Sequence, residues 1–78
     1  MPTVLRIGPF RFFFYSNENA EPPHIHVQRD KALAKFWLEP VRYAGSKHFA
    51  SKEIRELHKL VQFNQAMFLE AWYAHFSN

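Results

Sequence analysis

The sequence predicts a small α+β domain: an antiparallel sheet of four to five strands, built from two hairpins, with one long C-terminal amphipathic helix packed on one face. Three observations lead to this fold class. Short runs rich in β-branched and aromatic residues come in pairs, separated by two-residue breaks. Residues 51–76 then contain no Gly or Pro and place apolar residues at helical spacing. A length of 78 residues suffices for one hydrophobic core, so we expect a single domain over residues 1–78.

The first hairpin is predicted from residues 3–7 and 10–15, which flank Gly8 and Pro9. Gly8 can adopt a positive φ and Pro9 the negative φ that follows, which suits a type II′ turn. Residues at equal distance from such a turn lie opposite each other and share a face of the sheet. The predicted core-facing pairs are Ile7–Phe10, Leu5–Phe12 and Thr3–Phe14. The other face would receive Arg6–Arg11 and Val4–Phe13, with Tyr15 beyond.

The second hairpin is predicted from His24–Arg29 and Ala32–Leu38, after a polar loop over residues 16–23 that ends in two prolines. Residues 41–43 are a candidate fifth strand, followed by a loop over residues 44–50. The predicted core-facing pairs are Ile25–Phe36 and Val27–Ala34. The other face would receive His24–Trp37, His26–Lys35 and Gln28–Leu33.

The helix is predicted to begin at Ser51, a favourable N-cap, with Glu53 in the first turn, where the helix dipole favours an acid. Asn64 and His75 fall inside its apolar stripe, so we expect the helix either to bend or to bury two polar groups that need partners. The apolar stripe consists of Ile54, Leu57, Val61, Phe68, Ala71 and Trp72.

Composition and charge narrow the class of protein. The absence of Cys excludes disulfides, thiolate metal sites and a thiol nucleophile. The net charge is +3, and residues 1–50 carry seven Lys and Arg against four Asp and Glu, so the excess favours an anionic partner for the sheet. The alternative interpretation of the same net charge is a mildly basic protein that has no anionic partner. The segment MPTVLRIGPF lacks an apolar stretch of signal-peptide length and no segment approaches a membrane span, so we expect a cytoplasmic protein that does not associate with membranes.

The face of the sheet that the helix leaves uncovered is the candidate binding surface. The predicted pairing places cationic and titratable side chains among aromatic rings on it: Arg6, Arg11, His24, His26 and Lys35, with Phe13, Tyr15 and Trp37. Cations interleaved with aromatic rings suit phosphate and base contacts, so five of these residues are candidate nucleic-acid or anion ligands. The five candidates are Arg6, Arg11, Lys35, Trp37 and Tyr15. Two arginines directly opposite each other repel by up to about 1 kcal/mol, which either a bound anion or splaying into water would relieve.

Two histidines, His24 and His26, are the candidate catalytic residues, because their spacing on a strand puts both imidazoles on one face. Three interpretations remain open: a solvent-facing pair without chemistry, acid–base or phosphate-binding work near neutral pH, and a metal site. A catalytic zinc takes three protein ligands, and His48 or Glu21 would reach the pair only if loops fold back. No metal or other cofactor is therefore predicted, and His58 is expected on the helix surface.

The segments MPTVLRIGPFRFFFYSNE, EPPHIHV, AKFWLEPVR and FLEAW resemble a prokaryotic family of small proteins, domain of unknown function 4160. The resemblance covers nearly the whole chain, and EPPHIHV followed by AKFWLEPV is its most specific part. Members have Gly-rich turns where this sequence has Gly8-Pro9 and Asp30-Lys31, a departure that affects turn geometry. The resemblance implies a small cognate protein partner encoded nearby, as in toxin–antitoxin modules, and it carries no established activity or catalytic residues.

Three functions therefore compete. The first is a toxin-like component of a two-gene module that binds or cleaves RNA through the uncovered face. In cleavage, His24 and His26 would transfer protons while the nearby cations stabilise the phosphorane. The second is a non-enzymatic interaction module, an antitoxin or regulatory partner, which docks a protein with this face or with the helix. The third is a small metal protein built on the two histidines.

The helix offers the interaction module a second surface, because three large side chains lie off its apolar stripe: Phe63, Leu69 and Tyr73. The sequence leaves open whether the chain is an enzyme and whether it forms homo-oligomers.

Overall fold

The computed structural model describes residues 3–15 and 20–76 and confirms the α+β class. Five strands form one antiparallel sheet in which each strand lies beside the next one in the chain. The strands are β1 (Thr3–Ile7), β2 (Phe10–Phe13), β3 (His24–Arg29), β4 (Ala32–Leu38) and β5 (Val41–Lys47). Two helices follow, α1 (Ser51–Phe63) and α2 (Gln65–Phe76). The predicted loop over residues 16–23 lies partly outside the described residues.

The pairing predicted for the second hairpin is confirmed at every position, from His24 opposite Trp37 to Gln28 opposite Leu33. In the first hairpin the three pairs next to the turn are confirmed, and Gly8 has the expected positive φ of 54°. Further from the turn the prediction is wrong, because Thr3 lies opposite Phe13 and not Phe14. The register shifts between Thr3 and Leu5, so one residue of β1 has no partner, as in a β-bulge.

Strand β5 is longer than predicted and β2 is shorter. Gly45 and Ser46 have low β propensity, which is why the sequence predicts a loop from residue 44. Both nevertheless pair with β4, as does Lys47. Strand β4 is already paired with β3, and pairing with it overrides the weak preference of Gly45 and Ser46 for a loop. The fifth strand therefore extends to residue 47. Strand β2 ends at Phe13, two residues earlier than predicted.

The prediction of one long helix is wrong, because the helix breaks at Asn64. The Asn64 side chain donates from Nδ2 to the Leu60 carbonyl (2.9 Å), which its own backbone N–H also reaches (3.1 Å). This back-bonding competes with helix propagation, and Asn64 has φ −104° and ψ 14°. Gln65 then donates from Nε2 to the Leu38 carbonyl of β4 (2.6 Å), which holds the start of α2 against the sheet. The bend expected at Asn64 thus takes the form of a break.

The start of α1 also differs from the prediction, because Ala50 and not Ser51 is the N-cap residue. Glu53 does lie in the first turn, and its Oε1 accepts from the Ala50 backbone N–H (3.3 Å). Its other carboxylate oxygen pairs with Arg29 Nη2 of β3 (2.8 Å), so this acid joins the helix to the sheet.

The hydrophobic core lies between one face of the sheet and both helices, as predicted. The sheet contributes buried residues at alternating positions: Phe12, Ile25, Val27, Ala34, Phe36 and Leu38, with Phe14 just beyond β2. The predicted helical stripe is confirmed, since Leu57, Val61, Phe68 and Trp72 are buried and Ile54 and Ala71 pack against them. Neither α1 nor α2 has the length and apolar character that a membrane-spanning helix requires.

The outer surface of the helices differs in part from expectation. Phe63 is 89% exposed and Tyr73 about half exposed, whereas Leu69 packs against the core. Tyr73 donates to Glu39 Oε1 (2.7 Å), and this hydrogen bond raises the pKa of Tyr73. His58, expected on the helix surface, is half-buried, with Nε2 3.4 Å from the Val41 carbonyl of β5.

Candidate nucleic-acid interface

We call the face of the sheet opposite the helices the open face. Residues that pair across strands share a face, so successive pairs define rows that cross the sheet from β1 to β5. The first row is Arg6, Arg11, Gln28, Leu33 and Lys47. The second row is Thr3, Phe13, His26, Lys35 and Gly45. Cationic side chains therefore stand at both edges and in the middle of this surface.

Arg11 is held in place by neutral partners. Its guanidinium donates to Thr3 Oγ1 (3.2 Å) and to Gln28 Oε1 (2.7 Å), and its Cζ lies 4.2 Å from the centre of the Phe13 ring. These contacts fix the direction of the Arg11 side chain on the open face. Because both described hydrogen-bond partners are uncharged, the positive charge of Arg11 is oriented but not compensated by them.

Lys35 differs from Arg11, because an acidic side chain of the protein compensates its charge. Its Nζ lies 2.6 Å from Glu21 Oε1 and 4.4 Å from the centre of the Trp37 ring. A phosphate would compete with Glu21 for this ammonium group. Lys35 is therefore a weaker candidate for anion binding than Arg6 or Arg11.

The expectation that His24 faces solvent is wrong, because its side chain is 0% exposed. Nδ1 lies 2.9 Å from the Pro22 carbonyl, to which it donates as Nδ1–H. The ring centre lies 4.9 Å from Trp72 of α2 and 5.6 Å from Trp37 of β4. His24 begins β3, where α2 reaches the end of the sheet, so the helix covers a residue that strand alternation alone assigns to the open side.

His26 is also largely buried, at 7% exposure, although it lies on the open face. Its ring stacks on Phe13 with centres 5.4 Å apart and meets the edge of Tyr15 at 4.7 Å. Phe13 itself is only 1% exposed, so it supports its neighbours and offers no surface to a ligand. Tyr15, 38% exposed, and the half-buried Trp37 are the aromatic candidates that retain accessible surface.

Two shallow depressions lie side by side on the open face and share Leu33. One has a volume of 170 Å³ and is lined by Arg11, Phe13, Tyr15, Gln28, Asp30, Lys31, Ala32 and Leu33. The other has a volume of 260 Å³ and is lined by His26, Leu33, Ala34, Lys35, Gly45, Ser46 and Lys47. Both are smaller than the roughly 300 Å³ at which small-molecule sites begin. This surface suits an extended ligand that lies across it better than a compact one.

The two histidine rings have centres 5.1 Å apart. Over residues 3–15 and 20–76, no group of three His, Asp or Glu side chains is placed to hold a metal ion. Glu21 does approach His24, with Oε1 3.7 Å from Nδ1, but the same oxygen is bound by Lys35.

The sequence did not predict that Lys47 lies on the open face or that Gln28 orients Arg11. Extending the β4–β5 pairing from Leu38 opposite Val41 would put Ser46 opposite Leu33. The register shift between Lys35 and Phe36 leaves Ala44 unpaired and puts Lys47 there instead. Gln28 could have been found from the sequence, because the predicted hairpin already placed it on this face, but its role in orienting Arg11 depends on the β2–β3 pairing.

A family model described as Domain of unknown function (DUF4160) matches residues 10–73. This region includes the open face from β2 to β5 and both helices up to Tyr73. No curated protein and no solved structure matches the chain.

Proposed function

We propose that this chain, which belongs to the DUF4160 family, binds single-stranded RNA across the open face of its sheet. The observation that supports this most is the first row of the open face, in which Arg6, Arg11 and Lys47 lie on β1, β2 and β5. The row extends over four strand spacings, about 19 Å. Cations spread over that distance suit a run of phosphates better than a single small anion.

Aromatic and planar groups near this row support a single-stranded ligand. Unpaired bases stack on aromatic rings and on guanidinium planes, which is how proteins commonly recognise single-stranded RNA. Arg11 covers Phe13 with one side of its guanidinium and also lines the 170 Å³ depression beside Tyr15. We propose that bases stack on Arg11, Tyr15 and Trp37 while phosphates contact Arg6 and Lys47.

The RNA proposal predicts that the double variant Arg6→Ala/Lys47→Ala binds a labelled single-stranded RNA more weakly than the parent. Both side chains are exposed, so the substitutions are expected to leave the fold intact. The slope of log K against log salt should fall by about 0.7 for each lost phosphate contact. Fluorescence anisotropy over a salt titration measures both quantities.

The matched control is Lys52→Ala/Lys59→Ala, which removes the same charge from exposed positions on α1. This control should keep the parental slope. Equal losses in the two double variants would mean that only net charge matters, which would contradict a binding site on the open face. A single-stranded DNA of the same sequence, measured in parallel, shows whether the 2′-hydroxyl contributes.

RNA cleavage is a second candidate function, favoured by one observation. His26 lines the 260 Å³ depression together with Lys35 and Lys47, so an imidazole and two ammonium groups border one concavity. His26 would take the 2′-hydroxyl proton there as the 2′-oxygen attacks the phosphorus, and Lys47 would stabilise the phosphorane charge. The bond from phosphorus to the 5′-oxygen would then break, with water protonating the leaving oxygen, to give a 2′,3′-cyclic phosphate. The burial of His24 does not support its part in a two-histidine mechanism.

If the parent cleaves RNA, His26→Gln is expected to keep the RNA affinity within about threefold and to lower the cleavage rate by about 100-fold or more, because glutamine cannot act as a general base. Glutamine is preferred to alanine because the ring is buried between Phe13 and Tyr15. Cleavage by a folded His26→Gln protein at the parental rate would show that His26 is not the base.

We also propose that the protein acts in the cytoplasm with a small partner protein encoded nearby, in an arrangement like that of toxin–antitoxin modules. The lack of Cys suits a reducing compartment. Co-expression of the two neighbouring genes followed by co-purification tests the partnership. Recovery of each product alone would contradict it.

A further inference from the structure

A groove runs along the outer edge of the sheet, where β5 faces α1, on the side of the sheet that carries the core. It consists of two adjoining depressions of 450 and 320 Å³, both lined by Tyr43, Ile54 and Arg55. Each depression is larger than either one on the open face. Tyr43 pairs with Phe36 on the core side of the sheet, so this groove and the open face lie on opposite sides of β5.

The floor of the groove is apolar. Tyr43 is half exposed, its ring centre lies 5.9 Å from that of Phe36, and its hydroxyl is fixed by a hydrogen bond to Ser46 Oγ (2.6 Å). Ile54 and Phe49 are half-buried and pack against the core. This floor can take an apolar side chain of a ligand with little rearrangement of the protein.

The rim of the groove is cationic. Arg55 and Lys59 are exposed on α1, and His58 lies beside them. None of the carboxylates in the described part of the chain lines either depression. A ligand that places acidic side chains along α1 and an apolar side chain on Tyr43 would therefore match the groove in charge and in polarity.

Strand β5 adds a backbone contact, because it is the last strand of the sheet and has β4 as its described strand neighbour. An edge strand presents a row of unpaired N–H and C=O groups, to which an extended peptide can add as a further strand. The groove lies directly beside this edge. An extended chain is thus the ligand shape that uses the edge and the groove together.

Two features disfavour a second copy of this chain as the occupant. The unpaired Ala44 makes a bulge that twists the edge. A flexible peptide can follow this twist, whereas a second β5 strand, held in its own sheet with the same bulge, cannot pair flat with it. The exposed Arg42 and Lys47 on β5 would also approach their own counterparts.

We infer that the groove between β5 and α1 binds an extended acidic segment of a partner protein, which adds to the edge of β5 and places an apolar side chain over Tyr43. Aspartate or glutamate side chains of this segment pair with Arg55 and Lys59. This site does not depend on RNA binding by the open face, and the two ligands would occupy opposite sides of the same strand.

The test is a selection of short random peptides, displayed on phage, against the full chain. Selected peptides should be enriched in Asp and Glu together with an apolar residue. Arg55→Glu/Lys59→Glu should weaken binding of the selected peptides by about tenfold or more, since two attractive charges become repulsive. Arg6→Glu, at an exposed position on β1 at the opposite edge of the sheet, is the control and should leave peptide affinity unchanged.

Tyr43→Ala provides a second variant that leaves the charge unchanged and should also weaken peptide binding. Hydrogen exchange of the β5 amides should slow when a selected peptide is added, because a new strand covers that edge. The inference is overturned if selection gives no acidic enrichment, or if binding is insensitive to both groove variants. It is also overturned if the groove variants abolish self-association or RNA binding in place of peptide binding, which would assign the groove to a second copy or to nucleic acid.

Discussion

Phe12→Ala is expected to lower the free energy of unfolding by about 3–5 kcal/mol, the range for truncating a buried aromatic residue. Phe12 is 0% exposed in the middle of the sheet, between Leu5 of β1 and Val27 of β3. Its ring stacks on Phe68 of α2 with centres 5.3 Å apart, so the ring also joins the sheet to the second helix. A domain of this length has a total stability of about 4–12 kcal/mol, so the variant should lose about a quarter or more of it.

Phe63→Ala is the matched control, since it removes the same ring from an exposed site at the end of α1. We expect its effect to stay within about 0.5 kcal/mol. Chemical denaturation followed by circular dichroism measures both variants. Equal midpoints for the two would show that Phe12 does not support the core.

His24→Ala is expected to cost about 2–4 kcal/mol, because it removes a buried ring and leaves the Pro22 carbonyl without its donor. The imidazole fills the space between Trp37 and Trp72, so the loss also loosens the contact between α2 and the end of the sheet. This effect changes how a functional assay is interpreted. Loss of activity in His24→Ala would follow from loss of the fold and would not identify a catalytic residue.

His75→Ala is the corresponding control, because His75 is exposed on α2. It should change the unfolding midpoint far less than His24→Ala does. A His24→Ala protein as stable as the His75→Ala protein would contradict the structural role of His24. In that case acid–base catalysis by His24 and His26 together would again be a possible mechanism.

Both hairpins, the pairing next to each turn and most of the core-facing residues could be predicted from the sequence alone. The reason is local, because two-residue turns at Gly8-Pro9 and Asp30-Lys31 set the register, and alternation with a period of two then assigns each side chain to a face. Thr3, predicted to face the core, is the exception, because it lies on the open face. The apolar stripe from Ile54 to Trp72 could also be predicted from the sequence, because the spacing of its apolar residues follows the helical period.

Three features depend on contacts between distant parts of the chain: the position of the helix break, the complete burial of His24 and the set of cations on the open face. Asn64 interrupts the helix while Gln65 bonds to Leu38, and His24 is buried by Trp72, so both outcomes depend on residues far apart in the chain. A single unpaired residue, Ala44, moves Lys47 opposite Leu33 and so onto the same side of the sheet as Arg11. One extra residue reverses the face of every side chain that follows it in a strand, and whether a strand contains a bulge is decided by its partner strand and by packing.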